Sequence, residues 1–421
     1  MDISVIGTGY IGSVTGACFA EMGHRVIFVG RDKNKLNAIH SGISPIFEPG
    51  MDELLMKNRE KITTTTDIGQ AVRNSDLTFI CVGTPPQPDG SSDLSQVTGV
   101  SKTIGQALAH DSRHHTIIMK STVLPGTIEN IVIPIIEEES GKKAFIDFGV
   151  ASNPEFLKEG TAVEDFFHTD RVVIGANDDA SGKILEELYR PLRVPVYITT
   201  VRTSEMIKFA SNAFLATKIS FANEIGNLCK VLGIDSEAVF EGVGLDTRIN
   251  SKFFRTGIGF GGSCFPKDVC ALIAHAEQLG IRPRILHSVI ETNDDQPKRM
   301  VSLLKKHLDP AGRTIGILGL AFKPDTDDVR ESRAGPVIEL LLSCGAGVLA
   351  YDPVAMDNFK KNYPGIRYAG SAAEVLLSDA VLIVTEWKEF EDLDYSGKIV
   401  IDGRRIKKAE REARIYEGVC W

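Results

Sequence analysis

One cysteine in this chain stands where covalent chemistry is possible. The stretch Gly257-Ile258-Gly259-Phe260-Gly261-Gly262-Ser263-Cys264-Phe265-Pro266-Lys267-Asp268 places four glycines within six residues and then a cysteine, with a lysine and an aspartate close behind it. Glycine loses the most backbone entropy on ordering, so the run predicts a tight loop that lets a ligand approach closely. A nearby cation favours the thiolate, the nucleophilic form of cysteine, and the arrangement suggests covalent catalysis. The plain alternative is a buried structural cysteine after a glycine-rich turn. The glycines and the Lys267/Asp268 pair weigh against it.

Two further groups have useful spacing. From Thr203 to about Leu232 the chain has no proline, and Gly226 is its one glycine. Apolar residues at helical spacing predict a helix of about 45 Å, capped by Thr203 or Ser204. That is more than one domain surface needs, so it reads as a connecting, dimer-forming element. Lys208 and Asn212 lie one turn apart on it, flanked by Phe209, Ala210, Phe214 and Leu215. Lysine on a helix is usually solvated; the alternative is that this apolar-flanked pair points into a site. In Asn153-Pro154-Glu155-Phe156-Leu157-Lys158-Glu159-Gly160 two carboxylates stand four apart and would share a face if the segment is helical.

The elements that must position these groups begin at residue 3. Ile3–Ile6 is a short apolar run, Gly7-Thr8-Gly9-Tyr10-Ile11-Gly12 follows, a helical pattern runs through Phe19 and Met22, and Arg25–Val29 is a second apolar run. In such a strand–GxGxxG–helix–strand unit Gly7 permits the tight turn, Gly9 lets a pyrophosphate approach, and Gly12 lets helix and strand pack. The helix N-terminus then faces the phosphates, and the placement between two strands predicts dinucleotide binding. Leu77–Val82 runs into Gly83-Thr84-Pro85-Pro86, and Thr116–Lys120 into Ser121-Thr122-Val123. Both exits lie at the carboxyl edge where α/β sheets bind ligands, so Thr84 and Thr122 either contact cofactor or cap the next helix. Phe148–Ala151, Arg171–Gly175 and Val194–Ile198 complete this sheet. A second doubly wound sheet follows from Thr314–Leu318, Gly347–Tyr351, Ala380–Thr385 and Lys398–Asp402, without a GxGxxG. Lys323, Arg330, Arg333, Arg404 and Arg405 at its edges are candidates for a diphosphate clamp, since arginine offers bidentate donors to phosphate.

Composition sets outer limits. The 421 residues suit two to four domains. Hydrophobic content of 43% and charged content of 24% are ordinary for a soluble globular protein. A net charge of −9 argues against a general nucleic-acid surface, while leaving room for a local basic pocket. The seven cysteines, Cys18, Cys81, Cys229, Cys264, Cys270, Cys344 and Cys420, are odd in number, scattered and without metal-ligand spacing. Reduced thiols, a cytoplasmic location and no metal site are therefore expected. The N-terminus enters a strand pattern without a basic leader, and no apolar run has membrane-spanning length.

The motifs GTGYIG, VGTP, STVLPGT, NPEFLKEG, the KFASN helix, GFGGSCFPKD, GLAFKPDTDDVRES and DGRR occur in the order found in the UDP-glucose/GDP-mannose dehydrogenase family. The chain resembles that family over nearly its whole length. The resemblance implies an α/β fold with two Rossmann-like domains joined by a long central helix and a helical middle domain. The boundaries expected are 1–200, 201–300 and 301–421. It also implies a homodimer formed through the middle domain, and an NAD(P)-dependent four-electron oxidation of a sugar C6 alcohol to a carboxylate. A first hydride loss gives an aldehyde, Cys264 adds to it as a thiohemiacetal, a second hydride loss leaves a thioester, and water hydrolyses it.

The same resemblance implies roles for single residues. Lys208 stabilises the developing oxyanion beside Asn212 and a water, and Asp268 orients that water or takes a proton. Glu155 serves as general base in hydrolysis, and Thr122 positions a catalytic water. The segment Glu155, Phe156, Leu157, Lys158, Glu159 lies at the sugar site. Glu159, Lys267 and Arg330 match cofactor-contacting positions, together with Gly7, Gly9, Tyr10, Ile11, Gly12 and Thr84. Phe253, Phe254, Arg255, Thr256, Gly257, Gly261, Lys323 and Arg404 match the UDP-sugar site. Arg248 matches an arginine that reaches the substrate of the neighbouring subunit.

The UDP-glucose branch is the leading reading, with UDP-glucuronate as product. Phe47-Glu48-Pro49-Gly50 resembles that branch, and relatives acting on N-acetyl sugars generally lack a lysine at the place of Lys267. The same chemistry on GDP-mannose or a UDP-N-acetylhexosamine is the near rival; a nucleotide-sugar sensor without turnover belongs to a different class. One departure concerns the cofactor. Relatives usually end the second strand with Asp-x-Asp, the first Asp binding the adenosine ribose, and here Gly30-Arg31-Asp32 stands in its place, followed by Lys33 and Lys35. Gly30 removes a charge that would repel a 2′-phosphate, and Arg31 can pair with one. NADP or dual use is therefore favoured over NAD alone. The competing reading has Asp32 taking over the ribose contact from the same strand face as Gly30.

Overall fold

The computed structural model describes residues 1–421. The chain divides into two compact units, Met1–Ser211 and Asn212–Trp421. The first is built on an eight-stranded sheet: β1 (Asp2–Ile6), β2 (Arg25–Val29), β3 (Ile62–Thr65), β4 (Leu77–Ile80), β5 (Thr116–Met119), β6 (Gly149–Ser152), β7 (Val172–Ala176) and β8 (Val196–Thr199), in the order β3-β2-β1-β4-β5-β6-β7-β8. Every pairing is parallel except β6 with β7. The second unit carries a six-stranded parallel sheet: β9 (Thr314–Leu318), β10 (Gly347–Tyr351), β11 (Arg367–Tyr368), β12 (Ala380–Ile383), β13 (Ile399–Asp402) and β14 (Ile415–Gly418), ordered β11-β10-β9-β12-β13-β14. Both orders reverse direction between the first and fourth strands, which opens a crevice at the carboxyl ends.

Each sheet is covered on both faces, as parallel sheets are. In the first, Ile3, Val5, Phe28 and Phe79 pack into one core layer and Ile6, Val29, Ile80 and Ile117 into the other. In the second, Ile315, Ile317 and Ile401 face one layer and Leu318, Val381 and Val400 the other. The central strands match the apolar runs in the sequence. Three outer strands, β3, β11 and β14, have no counterpart among the predicted elements. Their sequences, Ile-Thr-Thr-Thr, Arg-Tyr and Ile-Tyr-Glu-Gly, are mixed because an edge strand need not be apolar on both faces.

The helices that bear on the site are α1 (Tyr10–Glu21), α2 (Lys33–His40), α3 (Ala162–Phe167), α4 (Val201–Leu232), α5 (Phe265–Gln278) and α6 (Arg284–Lys305). The predicted long helix is α4, 32 residues or about 48 Å. It passes from the first unit into the second. It starts two residues earlier than expected, and neither Thr203 nor Ser204 caps it. The Thr203 N–H donates to the Thr200 hydroxyl at 3.2 Å, while the Ser204 hydroxyl is buried against Ser152 Oγ at 3.1 Å.

Candidate active site

The turn after β1 has the geometry of a phosphate loop. Gly7 adopts φ +114°, and a Cβ there would lie 2.5 Å from the Cys81 carbonyl oxygen; at Gly12 it would lie 1.9 Å from the Gly7 oxygen. These two glycines allow α1 to seat on the sheet. Gly9 differs: it is exposed, and a Cβ there would meet nothing within 4 Å. The first helical bond runs from Ser13 N–H to Gly9 O at 2.9 Å. The amides of Tyr10, Ile11 and Gly12 therefore precede the helical ladder and open toward the space beside Gly9. A dinucleotide pyrophosphate fits this cradle.

At the end of β2 the structure corrects one expectation. The strand stops at Val29, and Asp32 is the N-cap of α2, accepting the N–H groups of Asn34 at 2.9 Å and Lys35 at 3.3 Å. It does not continue the strand face of Gly30. Arg31 is exposed and donates to Gln96 Oε1 at 3.3 Å. A Cβ at Gly30 would lie 2.8 Å from Thr8 Oγ1. Thr84 caps no helix: its hydroxyl donates to the Thr122 carbonyl at 3.0 Å and ties the two strand exits together.

The Asn153–Lys158 segment is irregular, so Glu155 and Glu159 do not share a helical face. Pro154 restricts the residue before it to extended backbone. Glu48 holds the segment's far end. Its buried carboxylate accepts the N–H groups of Gly160 at 2.7 Å, Ala162 at 2.6 Å and Val163 at 3.3 Å, and the Tyr10 hydroxyl donates to it. A carboxylate at the N-terminus of α3 is favoured by the helix dipole. It joins three motifs, GTGY, FEPG and NPEFLKEG.

Glu155 itself is buried, and so is Lys208. Lys208 Nζ donates to Glu155 Oε1 at 2.9 Å, and Leu157 N–H donates to Oε2 at 2.6 Å. Burial works to raise the Glu155 carboxyl, but the charge and hydrogen bond of Lys208, the Leu157 amide and the charge of Lys120 outweigh it and hold the carboxyl below its ordinary value. Phe156 lies between two cations, Arg171 at 4.1 Å and Lys208 at 5.3 Å from its ring centre. Lys158 is exposed and paired with Asp165, and Glu159 is half-buried.

The loop bearing Thr122 is anchored by a residue the sequence reading passed over. Glu205, 3% exposed on α4, accepts the N–H groups of Gly126 at 2.6 Å and Ile128 at 3.0 Å. Burial pushes its carboxyl up to about 7, against those two amides.

In the second unit the glycine loop is fixed by buried amide side chains. Gly257 N–H donates to Asn223 Oδ1 at 2.8 Å, and Gln296 Nε2 donates to the Gly257 carbonyl at 2.5 Å. Asn293 grips Phe260 on both sides, accepting its N–H at 2.7 Å and donating to its carbonyl at 3.0 Å. Gly259 and Gly262 adopt φ +97° and +84°. A Cβ at Gly261 would lie 2.2 Å from the Glu331 oxygen. These amides were absent from the sequence reading; their one signal is polar residues inside apolar helical patterns.

Cys264 sits at the N-cap of α5, partly exposed, with Ser263 Oγ 3.6 Å from its sulfur. The positive end of the helix dipole lies at the thiol. Asp268, one turn on and 1% exposed, is held at both oxygens, by Lys267 Nζ at 2.6 Å and by Asn212 Nδ2 at 2.6 Å. The structure therefore brings Cys264, Lys267, Asp268 and Asn212 together, and separately brings Glu155 and Lys208 together.

The remaining predicted residues spread over the second unit. Phe253 meets Phe265 edge-on at 6.2 Å, and Phe254 stacks on Phe240 at 5.1 Å with Lys218 4.2 Å above its ring. Arg255 pairs with Glu386 and Thr256 Oγ1 lies 3.1 Å from Ser236 Oγ. Arg404 Nε donates to the Val384 carbonyl at 2.7 Å, at the carboxyl edge of the second sheet, where Lys323 is half-buried in the loop after β9. Arg330 is exposed and bonds Asp328, and its carbonyl takes the Gly262 N–H. Arg333 and Arg405 are engaged by Asp294 and by Asp235 and Glu237. Arg248 is exposed and paired with Asp246.

Two nucleotide-type sheets, a phosphate loop and a cysteine loop define a dehydrogenase, and comparison with known proteins specifies it. The NAD binding domain of the UDP-glucose/GDP-mannose dehydrogenase family matches residues 1–193, its central domain 202–295 and its UDP binding domain 316–409. A UDP-glucose 6-dehydrogenase of Haloferax volcanii is 45% identical over the full length of both chains. A GDP-mannose 6-dehydrogenase of Pseudomonas aeruginosa is 40% identical over the same extent. The solved structure of a UDP-glucose dehydrogenase from Pyrobaculum islandicum, 45% identical, superposes with a TM-score of 0.97, covering 100% of this chain and 97% of that one. The chain belongs to the UDP-glucose/GDP-mannose dehydrogenase family and is an oxidoreductase.

The Glu205 anchor has a pH consequence. Its carboxyl is raised in the fold, so its stabilising contribution is complete below its unfolded value and is lost as pH rises through about 7. The loss approaches roughly 3 kcal/mol for a shift of this size. Glu205→Gln should flatten the fall in melting temperature of the wild type between about pH 5 and 8. Equal pH dependence in both proteins would refute this reading of Glu205.

Proposed function

We propose that this enzyme oxidises the C6 alcohol of UDP-glucose to the carboxylate of UDP-glucuronate, in two oxidations that share Cys264. The observation that carries the reading is the cysteine at the head of α5, beside a carboxylate pinned by Lys267 and Asn212. A dinucleotide in the phosphate-loop cradle would supply the hydride acceptor, one oxidised molecule for each of the two oxidations, so that two are consumed per product. The alcohol first loses a hydride and a proton to give the aldehyde. The Cys264 sulfur adds to the aldehyde carbon, and the oxygen takes a proton, giving a thiohemiacetal. Loss of a second hydride and a proton leaves a thioester, which water cleaves to carboxylate and free thiol. A thiolate holds the intermediate at the aldehyde level where a hydroxyl would do so poorly.

Lys208 offers its ammonium to the developing oxyanion, with Asn212 one turn along the same helix. Asp268 orients the water or accepts a proton, Glu155 is the base for thioester hydrolysis, and Thr122 positions that water. The burial of Glu155 and its ionised state support the role of base. Phe253 to Gly257, Gly261, Lys323 and Arg404 hold the UDP-sugar, and Glu159, Lys267 and Arg330 contact cofactor. The FEPG motif favours the UDP-glucose branch, and Lys267 argues against N-acetylated sugars.

The domains divide this work at about residues 200 and 300. The helical middle forms a homodimer: Phe214, Phe221 and Leu228 are each more than half exposed at seven-residue intervals on α4. Arg248 then reaches the substrate of the partner. No helix is long and apolar enough to cross a membrane, and the cytoplasm is the compartment proposed. The first domain belongs to an NAD-binding type; NADP use beside NAD is favoured by the absence of a carboxylate at Gly30, the exposed Arg31 and Lys35 nearby.

Four measurements test this reading. A panel of nucleotide sugars should show turnover to acid with UDP-glucose well above GDP-mannose and UDP-N-acetylhexosamines. Cys264→Ala should abolish acid formation while retaining UDP-sugar binding, so normal turnover in that variant would overturn the mechanism. For the cofactor, Arg31→Ala should lower kcat/KM with NADP by about one to two orders of magnitude, the loss of one charge-assisted hydrogen bond of roughly 1.5–3 kcal/mol, and spare NAD. A strong wild-type preference for NAD that Arg31→Ala leaves unchanged rules the idea out. Mixed dimers of Arg248→Ala and Cys264→Ala subunits should regain part of the activity that each lacks alone; verified mixed dimers without recovery would refute shared sites.

A further inference from the structure

The mechanism leaves one buried cation without a role. Lys120 directly precedes the Ser121-Thr122 loop and is 5% exposed. Its Nζ donates to Asn153 Oδ1 at 2.9 Å and to the Asn153 carbonyl at 3.3 Å, and lies 3.5 Å from the Tyr189 hydroxyl. These partners are all neutral. An ammonium buried among neutral partners is a costly way to stabilise a fold.

What it holds explains why it is there. Asn153 is fixed on every side: its N–H donates to the Met119 carbonyl at 2.9 Å, its Nδ2 to the Val173 carbonyl at 2.9 Å, and its Oδ1 also accepts the Tyr189 hydroxyl at 2.5 Å. Pro154 follows and then Glu155, so the carboxylate hangs from a clamped residue through a stiff link. Lys120, Asn153, Glu155, Arg171 and Tyr189 line one small cavity of about 30 Å³. We propose that Lys120 is a positioning residue for the reaction: it clamps the Asn153–Glu155 segment against the Thr122 loop.

The electrostatics agree with the geometry. Burial brings the Lys120 ammonium down to about 8, opposed by Cys81 and Glu155 and assisted by Lys208; Cys18 is a further, weaker influence. The titratable and charged groups facing it are thus Cys18, Cys81, Glu155, Lys208 and Tyr189, with Arg171 across the cavity. Below that range Lys120 is charged and helps Lys208 to hold Glu155 ionised. Above it Lys120 is neutral and Glu155 keeps Lys208 alone.

The inference rests on Glu155 acting as base, and one experiment separates the two. kcat is measured with saturating UDP-glucose and NAD from about pH 3.5 to 9.5, a window that reaches below the ordinary glutamate value of about 4.3 and above the lowered Lys120 value of about 8, for wild type, Lys120→Met, Tyr189→Phe and Glu155→Gln. Each protein is also checked by thermal melting. Glu155→Gln should remove the acid limb of the profile and accumulate thioester-bearing protein, visible by mass. Lys120→Met should move the acid limb up by about half to one pH unit, with kcat at neutral pH lower by about tenfold and KM for UDP-glucose unchanged. A residue that merely fills space would lower stability without moving the limb. Loss of the Lys120 charge near 8 loosens the clamp and gives kcat an alkaline fall, and Tyr189→Phe, which removes an oxygen partner of Asn153 and Lys120, should move that fall to lower pH. If Lys120→Met does not fold, that shift decides the matter. An acid limb that disappears in Glu155→Gln but stays in place in Lys120→Met overturns the Lys120 inference alone. A limb that survives in Glu155→Gln overturns the base assignment instead.

Discussion

The candidate site residues of both units depend on one helix that carries polar groups on its buried side. Glu205, Lys208, Asn212 and Asn223 fall within about 60° of one another around α4, at about 100° per residue, and all four are buried. Each engages a different segment. Glu205 holds the amides after Thr122, Lys208 binds Glu155, Asn212 binds Asp268 and Asn223 receives the Gly257 amide. Glu205 and Lys208 thus hold segments of the first unit, and Asn212 and Asn223 hold segments of the second.

This inverts ordinary helical amphipathicity. The opposite side of α4 leaves Phe214, Phe221 and Leu228 exposed. The buried charges are affordable because they are matched: Lys208 with Glu155, and Asp268 with Lys267 and Asn212. Removing one partner of a buried pair leaves the other desolvated and unpaired, a penalty of several kcal/mol. Chemistry therefore restricts the buried face, while the apolar outer face calls for cover by another surface.

The sequence made the central strands, the phosphate loop, the long helix and the cysteine loop legible, because each is dictated locally. Apolar runs form central strands, and clustered glycines form turns that other residues cannot. The edge strand Ile62–Thr65 was not legible, since its polar threonines resemble a loop. Nor was the clamp on the cysteine loop, in which Asn293 and Gln296 come from a helix thirty or more residues further on. The FEPG motif was visible as a marker, but its work was not: Glu48 bonds Gly160 across 112 positions of sequence. Asp32 shows the converse failure. Strand alternation placed it beside Gly30, but an aspartate two residues before free helical amides is drawn to cap them.

That capping supports the weight that the proposed cofactor reading puts on Arg31. An aspartate at position 30 would add charge where the strand ends, but its Cβ would lie 2.8 Å from the Thr8 hydroxyl, which would have to turn away. Asp32 has one oxygen committed to the α2 amides, which lowers its value as an acceptor for ribose hydroxyls. The mouth of the phosphate loop is thus left with a guanidinium held by only one long hydrogen bond to Gln96. Such a group gives up little on turning to a phosphate, and it gains a charge-assisted contact. The same turn that loses the ribose carboxylate therefore presents a cation in its place.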